Sequence, residues 1–553
     1  MEDRRSQRSA VQIRRGNRAL PRSAGRQAGR SAAAAAAGES GGSDSAIAPL
    51  REGGCVAETR ESSSGVRAGS PEPGDGLFSR RAAVWIARWL PVVAVALAVR
   101  SSGVPEGVTP EGWWFACVFA ATIVGFLTRP LPMGPMVLVA LAVLLAVGAF
   151  GHGAEAVERM LAGFADATVW LVVAAFLLSG TVVRTGLGRR VALWLISKLG
   201  RTTLGLGYSI AGAELILGPI IPSNTARGGG VMFPVVNGLA QALGADPYNE
   251  RRRTGGYLVL CGSHANLVAA AMFFTGMAAN PQLGNFAAAD LGVSWTWTTW
   301  LAGSWLPGIV SMSLLPALLY WIHRPELTHS PEARREARRE LQAMGPCTAR
   351  QVALAVLLAA LVAAWASEPV HGVHAAGVAL AGIAVILILG LDRWLDFTAD
   401  RGAWDALMWL GGLVAMAEQL QRQGVMRWFA AQIEQQVGGF TGVWAALLVG
   451  LAYFFSMYGF SMLTGHIMAM ASVLFVVAKA AGAPPMLVAA VISYFSNLCG
   501  CLTNYSTGQV VIYSGLGYVS TPRWFAIGLA VGVFHLAVWL GVGMPYWRML
   551  GWW

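Results

Sequence analysis

Charged residues are scarce in this chain of 553 residues: Asp, Glu, Lys and Arg make up 12% of it, whereas hydrophobic residues make up 55%. The mean hydropathy is +0.53, outside the range of a soluble globular domain. Cysteine is also scarce, with six residues and no CxxC pair, which argues against a disulfide framework and against a zinc site. These shortages exclude a soluble domain and indicate a protein that crosses a membrane many times.

Motifs of familiar enzyme chemistry are missing as well. The chain has no HExxH, no clustered pair of acids and no glycine-rich nucleotide loop. A membrane-embedded enzyme is an alternative, because intramembrane His, Glu and Arg could carry out acid–base work, and product formation from candidate acids would reveal it. We expect no cofactor and no bound metal.

Apolar runs long enough to cross a bilayer begin near residue 82 and recur to the end of the chain. They predict an all-α membrane protein in which residues 79–553 form one polytopic domain, with about eleven spans and two re-entrant hairpins. The predicted spans are 82–100, 112–128, 132–150, 168–186, 254–281, 296–322, 352–367, 373–391, 404–420, 485–515 and 524–547.

The formal net charge of +11 comes from arginines that concentrate in the N-terminal tail and in the loops between apolar runs. With a cytoplasmic N-terminus, the basic loops fall inside, as the positive-inside rule requires, and so does the long polar loop 323–350. The arginines therefore orient helices in a surrounding membrane lipid, and no nucleic-acid partner is expected.

Residues 1–78 lack any apolar stretch that could fold or span, so we expect a disordered tail. Its first thirty residues hold nine arginines, the bias of an organelle transit peptide. Acids later in the tail weaken this interpretation, and a mis-assigned start codon is the alternative. The expected location is a bacterial inner membrane, with a plastid inner envelope as the alternative.

Two short polar segments interrupt the apolar runs at matched places: 223–227, Ser-Asn-Thr-Ala-Arg, and 462–466, Met-Leu-Thr-Gly-His. In each, a threonine is followed two residues later by a cation. A cation at the bilayer centre costs about 2.5 to 3.5 kcal/mol on insertion scales, so it needs an anion or a wet cavity. Two such cations indicate an anion pathway.

The two halves of the chain echo one another in spacing. Trp170 precedes Thr225 by 55 residues, and Trp409 precedes Thr464 by 55. This predicts a repeat over about 168–322 and 404–547, each copy with an apolar hairpin that carries a polar segment at its tip. By helix counting the hairpins enter from opposite sides, which is the inverted-repeat architecture of secondary transporters. Residue identity between the halves is low, so coincidence is the alternative.

A long apolar segment broken by small polar residues follows each hairpin. The breaks read Thr-Gly-Met-Ala-Ala-Asn-Pro at 275–281 and Thr-Asn-Tyr-Ser-Thr-Gly at 503–508. Backbone groups freed at membrane depth must be buried in protein or line a cavity, so the breaks point at a binding site. A kink that relieves packing is the alternative for either break alone.

The tip residues suit a carboxylate. Segment 223–225 offers hydroxyl and amide donors at the start of a new helix, where free N–H groups and the helix dipole favour an anion. An ordinary helix cap would explain the same residues, although Arg227 in so apolar a context favours an anion site. His466 matches the place of Arg227, and packing is its alternative role. We expect Glu214, in the first hairpin, to pair with a cation; carrying a proton is the alternative.

Four stretches of the chain resemble the divalent anion/sodium symporter superfamily. They are 185–190, Thr-Gly-Leu-Gly-Arg-Arg; 222–227, Pro-Ser-Asn-Thr-Ala-Arg; 278–281, Ala-Ala-Asn-Pro; and 517–519, Gly-Tyr-Val. The resemblance is greatest to the branch of citrate/succinate antiporters and 2-oxoglutarate/malate translocators, and it covers about residues 82–553. It implies a homodimer in which substrate sits between the hairpin tips and a transport domain moves like an elevator against a scaffold.

The resemblance also concerns charge. The sodium-coupled branch carries a small residue at the position of Arg227, so Arg227 and His466 would take the place of sodium ions and give sodium-independent exchange. The chain departs from the family pattern at Met462, where a serine is usual, and at Asn504, where a histidine is usual. Both departures bear on which acid is carried.

The sequence therefore predicts a secondary active transporter that exchanges di- or tricarboxylates of the malate, succinate, 2-oxoglutarate, citrate or tartrate class. Sodium-coupled symport of a dicarboxylate or of sulfate is the alternative, and a non-transporting scaffold is disfavoured because it needs no cation at membrane depth. The expected substrate-binding residues are Ser223, Asn224, Thr225, Arg227, Thr275, Gly276, Thr464, Gly465, His466, Asn504, Thr507 and Gly508.

Overall fold

The computed structural model describes residues 75–434 and 441–553. Within these ranges the regular structure is helical, apart from one isolated antiparallel bridge between Thr202 and His329. Helices suit a chain this apolar, because a helix satisfies its own backbone hydrogen bonds where the bilayer cannot. The expected all-α membrane fold is confirmed, whereas residues 1–74 of the predicted tail lie outside the described residues.

The first half of the described chain contains eleven α-helices. They are α1 (Asp75–Ser101), α2 (Pro110–Thr128), α3 (Met133–Ala146), α4 (Gly153–Leu161), α5 (Ala167–Thr185), α6 (Leu187–Leu199), α7 (Thr203–Leu217), α8 (Phe233–Ala242), α9 (Arg252–Met272), α10 (Asn280–Phe286) and α11 (Trp297–Ile322). Two π-helical stretches, Thr225–Met232 and Ala287–Leu291, precede α8 and follow α10.

The second half contains thirteen more. They are α12 (Pro331–Ala343), α13 (Ala349–Ala366), α14 (Glu368–His371), α15 (Ala375–Ile388), α16 (Trp394–Thr398), α17 (Arg401–Arg422), α18 (Val425–Glu434), α19 (Val443–Ser456), α20 (Leu463–Ala480), α21 (Pro485–Leu498), α22 (Gly508–Gly515), α23 (Thr521–Gly541) and α24 (Gly543–Met549).

Eight helices of the described residues are long and apolar enough to cross a membrane, and four shorter apolar helices accompany them. Every predicted span coincides with helical structure, but the two longest, 254–281 and 485–515, are each divided into two helices by a break, and 524–547 includes parts of α23 and α24. Helix α1 begins at Asp75, so it includes the last residues of the predicted tail.

The basic segments that the sequence places inside contact one another at one end of the molecule, here called the basic end. The contacts that join them run from Arg252 to the Tyr518 carbonyl, from Arg523 to the Ile322 carbonyl and from Arg253 to the Glu326 carboxylate. Helix α12, from the long polar loop, packs on α6 and α8 at this end. The gathering of these segments agrees with a cytoplasmic basic end.

Helices α9 and α21 pack against each other at the centre of the fold. Every residue from Thr254 to Met272 and from Leu487 to Leu498 is buried. A helix buried on all sides needs small or apolar side chains on all sides, which both sequences provide. Helix α1, in contrast, exposes large apolar side chains along its length, as a lipid-facing helix does.

The two hairpins enter from opposite ends. The first comprises α7, residues 218–224, the π-helical stretch and α8, and it opens at the basic end, where the hydroxyl of Tyr518 donates to the carbonyl of Ala245 at 3.1 Å. The second comprises α19 and α20. It opens at the far end, where Lys479 Nζ donates to the carbonyl of Asp290 at 2.7 Å.

A broken helix follows each hairpin. Residues 273–279 separate α9 from α10, residues 499–507 separate α21 from α22, and each gap contains a 3₁₀ turn. The breaks lie within a few residues of the positions that the small polar residues predict. Hairpin and break have the same order in both halves, whereas the repeat boundaries, loop 323–350 as a separate unit and an elevator movement stay predictions.

Candidate functional site

The first hairpin turns at residues 222–224, and Ser223 caps the helix that follows. The carbonyl of Ser223 accepts from the Arg227 N–H at 2.8 Å, and its hydroxyl accepts from the Ala226 N–H at 3.2 Å. Asn224 is 5% exposed, and neither polar atom of its side chain has a partner among the described residues. Buried amides normally have partners, so the unpaired amide of Asn224 makes this residue a candidate for a ligand contact.

The second hairpin turns at residues 457–462, and α20 begins at Leu463. The N–H of Leu463 donates to the carbonyl of Ser506 at 2.7 Å, which ties this tip to the break between α21 and α22. Thr464 and Gly465 follow in the first turn of α20, where backbone N–H groups have no partner within the helix.

Both tips and both breaks line one cavity of about 710 Å³, here called the tip chamber. The predicted residues that line it are Ser223, Asn224, Thr225, Thr464, Gly465 and Thr507. Met277, Ala278 and Met462 complete this side of the wall. The volume is in the range of small-molecule sites, so donors from two hairpins converge on a space that could hold one small acid.

Arg227 is fully buried and does not line the chamber. Its Nε donates to Glu214 Oε2 at 2.8 Å. Its two Nη atoms donate to the carbonyls of Ile221, Gly276 and Asn266, at 2.6, 2.9 and 3.0 Å. The guanidinium thus ties the first hairpin to α9 and to the break behind the tip, and Glu214 neutralises its charge, as the sequence predicts for this acid.

Thr275 and Gly276 support the first tip from behind and do not line the chamber. The hydroxyl of Thr275 donates to the carbonyl of Pro219 at 2.8 Å, and the carbonyl of Gly276 accepts from Arg227. A Cβ at Gly276 would lie 2.8 Å from the carbonyl oxygen of Ala270, so the close approach of two backbones requires glycine here.

His466 is buried and lies behind the second tip, outside the chamber lining. Its Nε2 is 2.8 Å from the Ser456 hydroxyl, and its ring stacks on Tyr453 with the centroids 4.2 Å apart. The imidazole thus joins the two arms of the second hairpin. A role in substrate binding stays a prediction for both His466 and Arg227.

Asn504 lies in the second break and Gly508 is the first residue of α22, and neither lines the chamber. A Cβ at Gly508 would lie 2.4 Å from Thr225 Oγ1, so α22 approaches the first tip closely only because residue 508 has no side chain. The carbonyl of Asn504 accepts from the hydroxyl of Ser514 at 3.3 Å.

Metal-ligating side chains do not cluster in the part of the chain that the structure describes. No group of three or more His, Cys, Asp or Glu could hold a metal ion there, and its five cysteines are free. The chemistry of the chamber is that of hydrogen-bond donors and of the few charged side chains on its walls.

The family described as the sodium:sulfate symporter transmembrane region matches residues 83–553. The chain belongs to this transporter family. The resemblance to the divalent anion/sodium symporters is thereby confirmed, and the protein is an integral membrane transporter rather than an enzyme.

Three relatives show how much of this transporter is shared. The putative malate transporter YflS of Bacillus subtilis is 37% identical over 475 residues, which cover 86% of this chain and 98% of that protein. The chloroplastic dicarboxylate transporter 1 of Spinacia oleracea is 37% identical over 459 residues, covering 81% and 79%. The citrate/succinate antiporter of Escherichia coli K12 is 34% identical over 457 residues, covering 80% and 94%.

The opposite wall of this transporter's chamber comes from helices that the sequence did not associate with the site. Its charged residues are Arg88, Arg129 and Asp405, and its aromatic residues are Phe126, Phe176 and Trp409. Two of these residues are noticeable in the sequence. Trp409 precedes Thr464 by the 55 residues that define the second repeat, and Arg129 lies between two apolar spans. Neither signal alone reveals that the side chain faces the tips.

Proposed function

We propose that this transporter exchanges di- or tricarboxylates across a bacterial inner membrane without sodium. The tip chamber carries the proposal, because donors from two hairpins converge there on one cavity of about 710 Å³. The malate, dicarboxylate and citrate/succinate names of the relatives support the substrate class. The bacterial sources of two relatives support the location, and a plastid inner envelope is the alternative.

One carboxylate of the substrate binds residues 223–225, and the other binds Thr464 and Gly465. The unpartnered amide of Asn224 and the free N–H groups at the start of α20 support these contacts. Thr507 adds a hydroxyl from the second break. Met462 also lines the chamber, and its side chain offers no hydrogen-bond donor to a carboxylate. The competition experiment described below shows which acids bind in spite of this.

Arg227 favours exchange over sodium coupling. Its guanidinium binds three backbone carbonyls and one carboxylate oxygen, which are the kinds of ligand that transporters offer to a bound sodium ion. A covalently fixed cation is neither taken up nor released, so the first tip needs no sodium. We propose that His466 supports the second tip in the same way.

Transport by the purified protein in proteoliposomes tests the proposal. Uptake of labelled malate should require an internal dicarboxylate and should be equal in sodium and in choline medium. Competition among malate, succinate, 2-oxoglutarate, citrate, tartrate and sulfate then ranks the substrates. Uptake that needs sodium but no internal acid would replace exchange by symport.

We further propose a homodimer whose transport domains move like elevators, as the family resemblance implies. The exposed apolar side chains of α1, among them Trp85, Leu90 and Leu97, support an environment of lipid or of a second copy. Native mass spectrometry of the protein released from detergent should give a two-chain species with retained lipid, and a monomer would contradict the dimer.

A further inference from the structure

The positive charge that faces the tip chamber does not come from Arg227 or His466, which are buried behind the tips. Arg227 is paired with Glu214, His466 bonds to Ser456, and neither lines the chamber. An anion that enters the chamber therefore meets other charges. The charged residues of the lining are two arginines and one aspartate, which leaves one net positive charge: Arg88, Arg129 and Asp405.

Both arginines are exposed, and in the described part of the chain neither forms an ion pair with an acid. Asp405 forms none either, and its Oδ1 would lie 2.5 Å from a Cβ at Gly134, on the far side of the α2–α3 turn. Their charge is thus not cancelled by direct pairing. An uncompensated charge at the mouth of a cavity attracts ions of opposite sign.

The backbone of Arg129 aims its side chain at the second tip. Arg129 has φ 52°, and no other non-glycine residue of the described ranges has a positive φ. Residues other than glycine and asparagine rarely adopt this conformation. The turn closes α2, because the N–H of Arg129 donates to the carbonyl of Gly125 at 2.8 Å.

The guanidinium of Arg129 contacts the second hairpin tip. Arg129 Nη2 donates to the carbonyl of Ser461 at 2.8 Å, next to Met462 of the chamber wall. Arg88 Nη1 donates to the carbonyl of Arg129 at 3.3 Å, so the second arginine supports the same turn. A backbone outlier whose side chain also contacts a residue 332 positions away in the sequence is a reason to propose a function for Arg129.

We propose that Arg129, supported by Arg88, draws dicarboxylates into the tip chamber from the basic end and favours the doubly charged acid over a monoanion. The inference rests on the proposed function, since it concerns the substrate of that chamber. Arg227 and His466 support the tips from behind, whereas Arg129 is the cation that an incoming substrate meets.

The variant R129N tests this, because asparagine tolerates a positive φ and carries no charge. The matched control is R339Q, which removes another exposed arginine, from α12 at the basic end, where Arg339 lies 3.8 Å from Glu336. Exchange is measured in proteoliposomes with the basic end outward, an orientation established by labelling the exposed Cys347 with an impermeant maleimide.

We expect R129N to raise the KM for malate about tenfold with little change in kcat, because a charge at the rim of a site acts mainly on association. The dependence of KM on ionic strength should weaken, and the preference for malate over a monocarboxylate should fall. R129K should restore most of the affinity, since it returns the charge, and R88Q should show a smaller shift in the same direction. R129G replaces R129N if that protein is purified in low yield, because glycine adopts φ 52° without strain.

A KM and a salt dependence in R129N equal to those of R339Q, with the wild-type protein exchanging dicarboxylates, would overturn the role of Arg129 and leave the proposed function intact. Recovery by R129K supports a role of charge, whereas equal losses in R129K and R129N would show a purely structural role and overturn the inference. If the wild-type protein exchanges none of the acids, the proposed function fails and this inference fails with it.

Discussion

Single residues show how charge is accommodated at membrane depth. Arg227 is costly to bury, and the structure compensates it with one carboxylate and three carbonyls, so every group that its guanidinium contacts is an oxygen acceptor. Asn224 is the opposite case, since it lines the chamber and its buried amide has no partner among the described residues. The same hairpin therefore holds one side chain whose polar groups are all paired within the protein and one whose amide has no described partner.

The ion pair of Arg227 and Glu214 predicts a non-additive set of variants. R227M or E214L alone should destabilise the protein by about 3 to 5 kcal/mol, because each leaves an uncompensated buried charge. The double variant R227M/E214L should be less destabilised than either single variant. Thermal unfolding in detergent, followed by tryptophan fluorescence, measures this, and additive losses would contradict the buried pair.

At the scale of helices, the positions of the two hairpin tips depend on close contacts with the second break and with α22. The first tip and α22 come from chain segments nearly 300 residues apart, and they meet where Gly508 leaves room for Thr225. The second tip is held by the Leu463 N–H on the Ser506 carbonyl, from the same break. The break and the start of α22 thus contact both tips, which gives the irregular backbone at the centre of the fold a structural role.

A methyl group at Gly508 should separate the first tip from α22. We expect G508A to reduce exchange at least about tenfold while the protein stays assembled, since displacement of a binding group by an ångström is enough to cost a large factor. The matched control in the same helix is G515A, where a Cβ would have no neighbour within 4 Å. Equal exchange rates in the two variants, measured in proteoliposomes, would show that this contact does not position the tip.

At the scale of the whole molecule, the chamber lies toward the basic end. Arg129 and Pro130 lie at the end of α2, and Gly402 and Asp405 lie at the start of α17, and all four line the chamber. Both helix ends belong to the basic end, because Asp392, shortly before α16 and α17, accepts a hydrogen bond from Arg184 in the last turn of α5. The chamber in this conformation is therefore bounded by residues of the basic end.

Cysteine accessibility tests this placement. In a background with C55S and C347S, which leaves only buried cysteines among the described ones, A278C should react with an impermeant maleimide added at the basic end. Bound malate should protect it. The control V370C, at a position 89% exposed in the short helix α14, should react from the opposite side only. Labelling of A278C from the opposite side alone would contradict the placement.

Much of the fold and part of the site follow from residues read along the chain. Apolar runs predicted the helices, and small polar residues predicted both breaks and both tips, because local composition decides where a helix can form in a bilayer. Six of the twelve predicted site residues line the chamber. The other six lie close behind it, since sequence spacing places a residue near a tip but does not say which way its side chain points.

The sequence by itself determined the class of molecule, the hairpin tips and the polar residues on them, because the exclusion of charge from a bilayer acts on each segment separately. Only the tertiary structure decided which cations line the chamber. Glu214 and Arg227 lie 13 residues apart, and Arg129 and Ser461 lie 332 apart. Contacts between side chains of different helices decide whether a charge is paired with an acid or faces the chamber. These contacts form only when the helices pack together.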